Sequence, residues 1–151
     1  MAIHKLAHYA VRARDLEASR CFYEEVLQLR AGFRPPFAFP GVWLYLGDDE
    51  SELGAVHLIG DAAPEALADY LGHRPDADQE TTGDLDHIAF LADDWPALRA
   101  RCEAAGAAYV ERTVPSLGLR QVFLTDPSGV TVELNFAVGD QDRSGHRSRI
   151  S

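Results

Sequence analysis

Two stretches of the chain repeat one another, and a repeat of this size limits the folds open to it. His8-Tyr9-Ala10-Val11-Arg12-Ala13-Arg14-Asp15-Leu16 opens one half and His87-Ile88-Ala89-Phe90-Leu91-Ala92-Asp93-Asp94-Trp95 the other, at an offset of 79. In both, a histidine begins a strand-like run, an aspartate follows seven residues later, and a helical pattern starts. The match continues with Leu44-Tyr45-Leu46-Gly47-Asp48 against Val122-Phe123-Leu124-Thr125-Asp126 at offset 78, and Val56-His57-Leu58 against Val132-Glu133-Leu134 at offset 76. Each unit spans about 50 to 55 residues. A unit that small does not bury a full core, so pairing units is the stable solution.

Periodicity then gives a coarse structure. Residues 4–12 read as a strand, and Asp15 caps a helix over 16–28 with Leu16, Phe22, Tyr23, Val26 and Leu27 on its apolar side. Residues 42–46 and 54–59 read as strands around the turn-forming Gly47-Asp48-Asp49, and a fainter strand is expected between Gly32 and Phe39. In the second half, 86–92 is a strand, and Asp94 caps a helix that has Pro96 in its first turn and stops before Gly106. Strands follow at 108–111, 121–125 and 131–137, the last two joined by the turn Asp126-Pro127-Ser128-Gly129. Each half is therefore β-α-β-β-β, and the fold class is α+β.

Charge locates the connector. The chain holds 24 acids against 14 bases, a net charge of -10, and residues 61–94 alone carry ten acids and one base, Arg74. The organisation is a first module over 1–60, an acidic connector over 61–84 with one short helix from Pro64 to Leu71, a second module over 85–137, and a polar tail over 138–151 expected to be mobile. The acid excess argues against a nucleic-acid or anionic-membrane partner, since phosphate binding needs clustered Lys and Arg, and it would disfavour a strongly anionic substrate near the connector. No apolar run reaches the roughly 20 residues that span a bilayer, and the first residues do not read as a signal peptide. Two cysteines, Cys21 and Cys102, fall on helices among apolar neighbours and read as packing residues. The expectation is a cytoplasmic protein.

Four polar residues stand at related places in the repeat: His8 matches His87, and His57 matches Glu133. Each lies in an apolar strand. Burying a lone carboxylate such as Glu133 is costly, so it requires a cation, a donor or solvent. Three imidazoles and a carboxylate arriving this way would form a metal site, suited to Zn, Fe(II), Ni or Mn, and two histidines with one carboxylate suit Fe(II) in particular. His57 is dispensable in such a trio. His4 has no counterpart in the repeat, and His73 and His146 lie in polar sequence. There is no nucleophile elbow, phosphate-binding loop or dinucleotide fingerprint.

The run from His8 through Asp15-Leu16, Phe22-Tyr23 and Val26-Leu27, with Phe123-Leu124-Thr125-Asp126-Pro127-Ser128-Gly129-Val130-Thr131-Val132-Glu133-Leu134, resembles the vicinal oxygen chelate superfamily over about residues 3–137. That superfamily holds glyoxalase I, bleomycin and fosfomycin resistance proteins, methylmalonyl-CoA epimerase and extradiol dioxygenases. The resemblance implies mixed sheets of paired βαβββ modules curling around a metal-site cavity, with a divalent metal held by His8, His57, His87 and Glu133. It implies a homodimer or modules paired within one chain, and a small-molecule substrate whose oxygens reach the metal. It also implies that Gln121 and Phe123 line the cavity while Arg120 points away. Glu133, or a metal-bound water, is then the base. The expected activity is a metal-dependent glyoxalase-like one of lyase or isomerase type. Two alternatives are an extradiol-type dioxygenase and a non-catalytic sequestering protein of the bleomycin-resistance kind. The sequence departs from the glyoxalase I pattern, which most often has a carboxylate where His57 stands. It departs from the extradiol pattern too, with Phe123 in place of a tyrosine and no histidine in Ser116-Leu117-Gly118-Leu119-Arg120. At the position of His57 the epimerase pattern usually carries an amide.

Overall fold

The computed structural model describes residues 6–71 and 87–138. His4, His73, His146, most of the acidic connector and the tail from residue 139 lie outside the described residues. The chain divides into two compact units, Met1–Thr81 and Thr82–Ser151.

In the first unit the elements are β1 (Tyr9–Ala13), α1 (Leu16–Cys21), β2 (Arg30–Ala31), β3 (Gly41–Tyr45), β4 (Val56–Gly60) and α2 (Pro64–Leu71). They form one mixed sheet in the order β1-β4-β3-β2. β1 runs parallel to β4, and the other pairs are antiparallel. A parallel pair needs a long crossover, and this one begins with α1. Asp15 opens the helix in an extended conformation, its carboxylate accepting from the Ala18 N–H at 2.9 Å. After Cys21 the coil widens into one π-helical turn, Phe22–Val26, where the Leu27 N–H reaches back to the Phe22 carbonyl. The helix expected over 16–28 is thus an α-helix and a π turn in series.

The second unit repeats the plan with β5 (Ile88–Ala92), α3 (Trp95–Ala105), β6 (Tyr109–Val114), β7 (Leu119–Thr125) and β8 (Thr131–Ala137). Its sheet order is β5-β8-β7-β6, again with the first and last strands parallel. Asp94 caps α3 from the left-handed region, φ 56°, with its carboxylate on the Ala97 N–H. Asp126 organises the β7–β8 turn: its side chain accepts from the N–H groups of Ser128 and Val130, both at 2.8 Å. The fold is therefore α+β, a duplicated βαβββ arrangement of two open mixed sheets.

Period-two alternation sorts each sheet into two faces. Tyr9, Val11, Val56, Leu58 and Leu44 share the face that packs on α1, and Tyr23 from the π turn is fully buried there, its hydroxyl 3.2 Å from that of Tyr9. In the second sheet Val122, Leu124, Val132, Leu134 and Phe136 are buried with Trp95, Leu98 and Cys102 of α3. Arg120 lies over Trp95 on this helix side. His8, His57, His87 and Glu133 all belong to the opposite faces.

Two expectations shift. The strand expected between Gly32 and Phe39 is the two-residue β2, Arg30–Ala31, which precedes Gly32. Pro35, Pro36 and Pro40 have no N–H to give to a ladder, so residues 32–40 cannot pair along their length. The repeat also has a different middle. Leu44 pairs with Val56 as Leu124 pairs with Val132, so β3 matches β7 at offset 80, not 78. Trp43, not Tyr45, is the counterpart of Phe123. The parity is unchanged, and with it every assignment to a face.

Candidate active site

Each module places a polar pair at one register. In the first, Ala10 of β1 sits opposite His57 of β4, and His8 precedes Ala10 by two residues on the same face. In the second, Ala89 of β5 sits opposite Glu133 of β8, and His87 precedes Ala89 by two. A small residue at the middle of each edge strand leaves room for the two polar side chains to meet over it.

In the first module they meet as a stack. The His8 and His57 rings lie 3.8 Å apart and 16° from parallel, and Trp43 covers the other face of His57 at 4.0 Å and 5°. His57 is 6% exposed. Burial pushes its pKa down to about 4, with the neighbouring charges of His8 and Arg34 adding to the effect and a backbone hydrogen bond at Gly54 opposing it. Nε2 is the nitrogen without a partner. Nδ1–H is therefore the donor to Gly54, and the neutral ring keeps its lone pair at Nε2. His8 Nδ1 is likewise buried with no partner among the described residues.

Above this stack, Arg34 lies 5.1 Å from the ring centres of both Phe37 and Phe39 and donates to the Phe39 carbonyl at 2.7 Å. Gly41 makes the placement possible: a Cβ there would stand 3.0 Å from the Arg34 guanidinium and 2.6 Å from the Leu58 carbonyl. Leu67 of α2, 1% exposed, packs on Phe39 and Ile59 from the same side. His8, His57, Trp43, Arg34, Phe37 and Phe39 line an open pocket of about 170 Å³ in the first module.

In the second module the pair is hydrogen-bonded. His87 Nε2 is 2.9 Å from Glu133 Oε2, and the Glu133 side chain is 7% exposed. Gln121 Nε2 donates to Glu133 Oε1 at 2.7 Å and to Asn135 Oδ1 at 3.0 Å, while its Oε1 accepts from Arg112 Nε at 2.7 Å. The buried carboxylate thus has the donors its burial demands. Phe123 sits edge-on to His87 at 6.2 Å, with Arg112 over its ring at 5.2 Å. Gln121 and Phe123 share the face of Glu133, as expected, and Arg120 is on the other.

Within neither module do three His, Cys, Asp or Glu side chains gather to hold a metal ion among the described residues. Each contributes two. Orphaned imidazole nitrogens, one with its other nitrogen fixed by a carbonyl, are what metal-binding histidines require, and the carboxylate–imidazole pair adds compatible donors. The first module offers two imidazoles and the second an imidazole and a carboxylate, donor types that suit a divalent ion.

Sequence reasoning missed Arg34, Trp43, Arg112 and Asn135. Strand parity was the signal for Trp43, Arg112 and Asn135, since each lies on a face already assigned. For Arg34 the only hint was a cation leading a Pro- and Phe-rich run.

The sequence model of the Glyoxalase/Bleomycin resistance protein/Dioxygenase superfamily matches residues 5–134. An ethylmalonyl-CoA/methylmalonyl-CoA epimerase of Cereibacter sphaeroides is 28% identical over 119 residues, 77% of this chain and 81% of that protein. Among solved structures, a lactoylglutathione lyase from Agrobacterium tumefaciens superposes with a TM-score of 0.60 at 23% identity, covering 91% of this chain and 97% of that one. A glyoxylase/bleomycin resistance protein/dioxygenase domain from Frankia sp. EAN1pec gives 0.63 at 19% identity, covering 90% and 99%. No helix among the described residues is long and apolar enough to cross a membrane.

Proposed function

The chain belongs to the Glyoxalase/Bleomycin resistance protein/Dioxygenase superfamily, and from that premise we propose that it is a metal-dependent glyoxalase-like enzyme of lyase or isomerase type, acting on a small oxygenated substrate. His8, His57, His87 and Glu133 would hold a divalent ion: Fe, Zn, Ni or Mn. When bound, the metal would supply Lewis acidity to the substrate's oxygens. The observation that carries the reading is the repeated register, which sets a donor pair over Ala10 in one module and over Ala89 in the other.

The chain's own residues would divide the remaining work. Glu133 is the base: Gln121 fixes Oε1, so the carboxyl presents Oε2 in one orientation toward a proton next to a substrate oxygen. His87, in contact with Oε2, would share that proton. Phe123 supplies an apolar wall. It carries no hydroxyl, and this counts against the dioxygenase alternative. The same proposal takes the protein as a cytoplasmic homodimer.

The test is metal analysis of protein purified without an affinity tag, with rebinding of Zn, Ni, Mn and Fe(II) after chelation. Stoichiometric metal lost on Glu133→Gln or His8→Ala supports the reading. Protein that neither carries nor rebinds any of the four ions refutes it. A sequestering protein of the bleomycin-resistance kind is the second reading, favoured by an open pocket lined, among the described residues, by the first module. It would show ligand stabilisation insensitive to chelator.

A further inference from the structure

Two rows of paired residues cross the site face of the second module. One runs Val110, Phe123, Glu133, Ala89, and the next runs Arg112, Gln121, Asn135, Leu91, each residue opposite its neighbour across β6, β7, β8 and β5. The first row holds the base proposed above.

The hydrogen bonds of the second row have one sense. A guanidinium only donates, so Gln121 must turn its Oε1 toward Arg112 Nε. A carboxylate oxygen accepts, so Gln121 Nε2 turns toward Glu133, and it donates to Asn135 Oδ1 as well. The Asn135 amide is thereby fixed with its oxygen toward Gln121 and Nδ2 on the other side. What the row leaves over is donors alone: Asn135 Nδ2 and the two terminal nitrogens of Arg112, which have no acceptor among the described residues.

Arg112 is also held in position. Its Nε is bonded to Gln121, and its guanidinium lies over the Phe123 ring at 5.2 Å. The residue is otherwise exposed, so the outer edge of the fork is open for a two-point grip on a carboxylate. Charge narrows the ligand further. Arg99 and Arg101 belong to α3 and Arg120 lies over Trp95, so Arg112 is the one arginine on this face among the described residues of the second unit. A single guanidinium beside Glu133 balances a monoanion, whereas a phosphate dianion would keep an uncompensated charge.

We propose that Arg112 and Asn135 determine specificity by binding a carboxylate of the substrate, a small aliphatic monocarboxylate whose chain lies toward Phe123 and the exposed Val110. The inference names the substrate class of the site proposed above and rests on that reading of Glu133.

Butyrate is the probe, titrated into the full-length chain in excess EDTA and followed by NMR at the backbone amides of β6, β7 and β8. Saturable binding of one butyrate per chain is expected, with butyramide and inorganic phosphate at least about tenfold weaker. Arg112→Gln should weaken butyrate about tenfold or more, as expected for loss of a charge-assisted hydrogen bond. Asn135→Asp keeps the acceptor that Gln121 needs and puts an acceptor where the donor was, so it should weaken butyrate as much. It carries the test if Arg112→Gln fails to fold. Arg120→Gln makes the same change of net charge on the helix side and should leave the affinity within about twofold. Butyramide or phosphate binding as tightly as butyrate overturns the proposal. So does butyrate binding that survives either folded variant, or that Arg120→Gln weakens equally. Butyrate binding that appears only after metal is restored also overturns it, while leaving the metal-dependent reading intact. Metal-free butyrate binding, lost in the variants, in a chain that never takes up metal has the opposite meaning: the enzyme reading fails and the carboxylate site stands.

Discussion

His57 shows how tightly single side chains are set. Its two faces are covered by Trp43 and His8, and one nitrogen is bonded at Gly54. Burial holds the folded ring's pKa down to about 4, against 6.5 for an ordinary histidine. Between those values the unfolded chain binds the proton and the folded chain does not, so stability from this residue is full above about pH 6.5 and drains away as pH falls toward 4. The shift corresponds to on the order of 3 kcal/mol. Denaturant titrations in EDTA should show wild type losing more stability than His57→Gln over that range; parallel pH profiles would reject the assignment. At Gln121 one amide serves Glu133, Asn135 and Arg112. Gln121→Ala strips a buried carboxylate oxygen, Oε1, of the amide that donates to it and should cost about 1–3 kcal/mol, measurable by urea denaturation, whereas a loss under about 0.3 kcal/mol would mean the network is not formed.

Among the elements, the two helix caps offer an internal comparison. Asp15 and Asp94 each accept an N–H three residues on, but Asp15 is extended and Asp94 is left-handed at φ 56°. Asp15→Ala should cost about 1 kcal/mol for the lost cap. Asp94→Ala should cost more than that, because aspartate tolerates the left-handed region better than alanine does, and Asp94→Gly should cost less than Asp94→Ala. Equal losses for the two alanine variants in urea denaturation would contradict the geometry. The caps were legible in the sequence because capping is local, and so was α2, whose Pro64 to Leu71 bounds match the reading. The candidate pairs were legible because strand parity survives a register error of two. The position of β2 and the Trp43–Phe123 equivalence were not, since both depend on pairing across loops of unequal length. Arg34 was hidden for a related reason: a loop residue's direction is set by what it packs on, here Gly41, Phe37 and Phe39. That α2 packs against Phe39 and Ile59 was equally invisible. Leu67→Ala should cost about 2–5 kcal/mol in urea denaturation, and an unchanged midpoint would mean that α2 does not pack there.

For the whole molecule, duplication has a functional consequence. A gene-level repeat would give two equal donor pairs, but the halves have diverged into an imidazole stack in one module and a carboxylate–imidazole pair in the other. Two donors hold a divalent ion poorly, and three or four hold it well. If one ion takes all four donors, as proposed above, removing either pair should release it. Linkage makes this measurable, since an ion at 100 times its Kd stabilises the folded state by about 2.7 kcal/mol. The metal-induced rise in Tm should vanish in His8→Ala/His57→Ala and equally in His87→Ala/Glu133→Ala, although each double variant leaves the other pair intact. Independent sites would instead leave about half the bound metal in each double variant. That outcome would place a separate ion in each module and remove the physical reason for the two halves to cooperate.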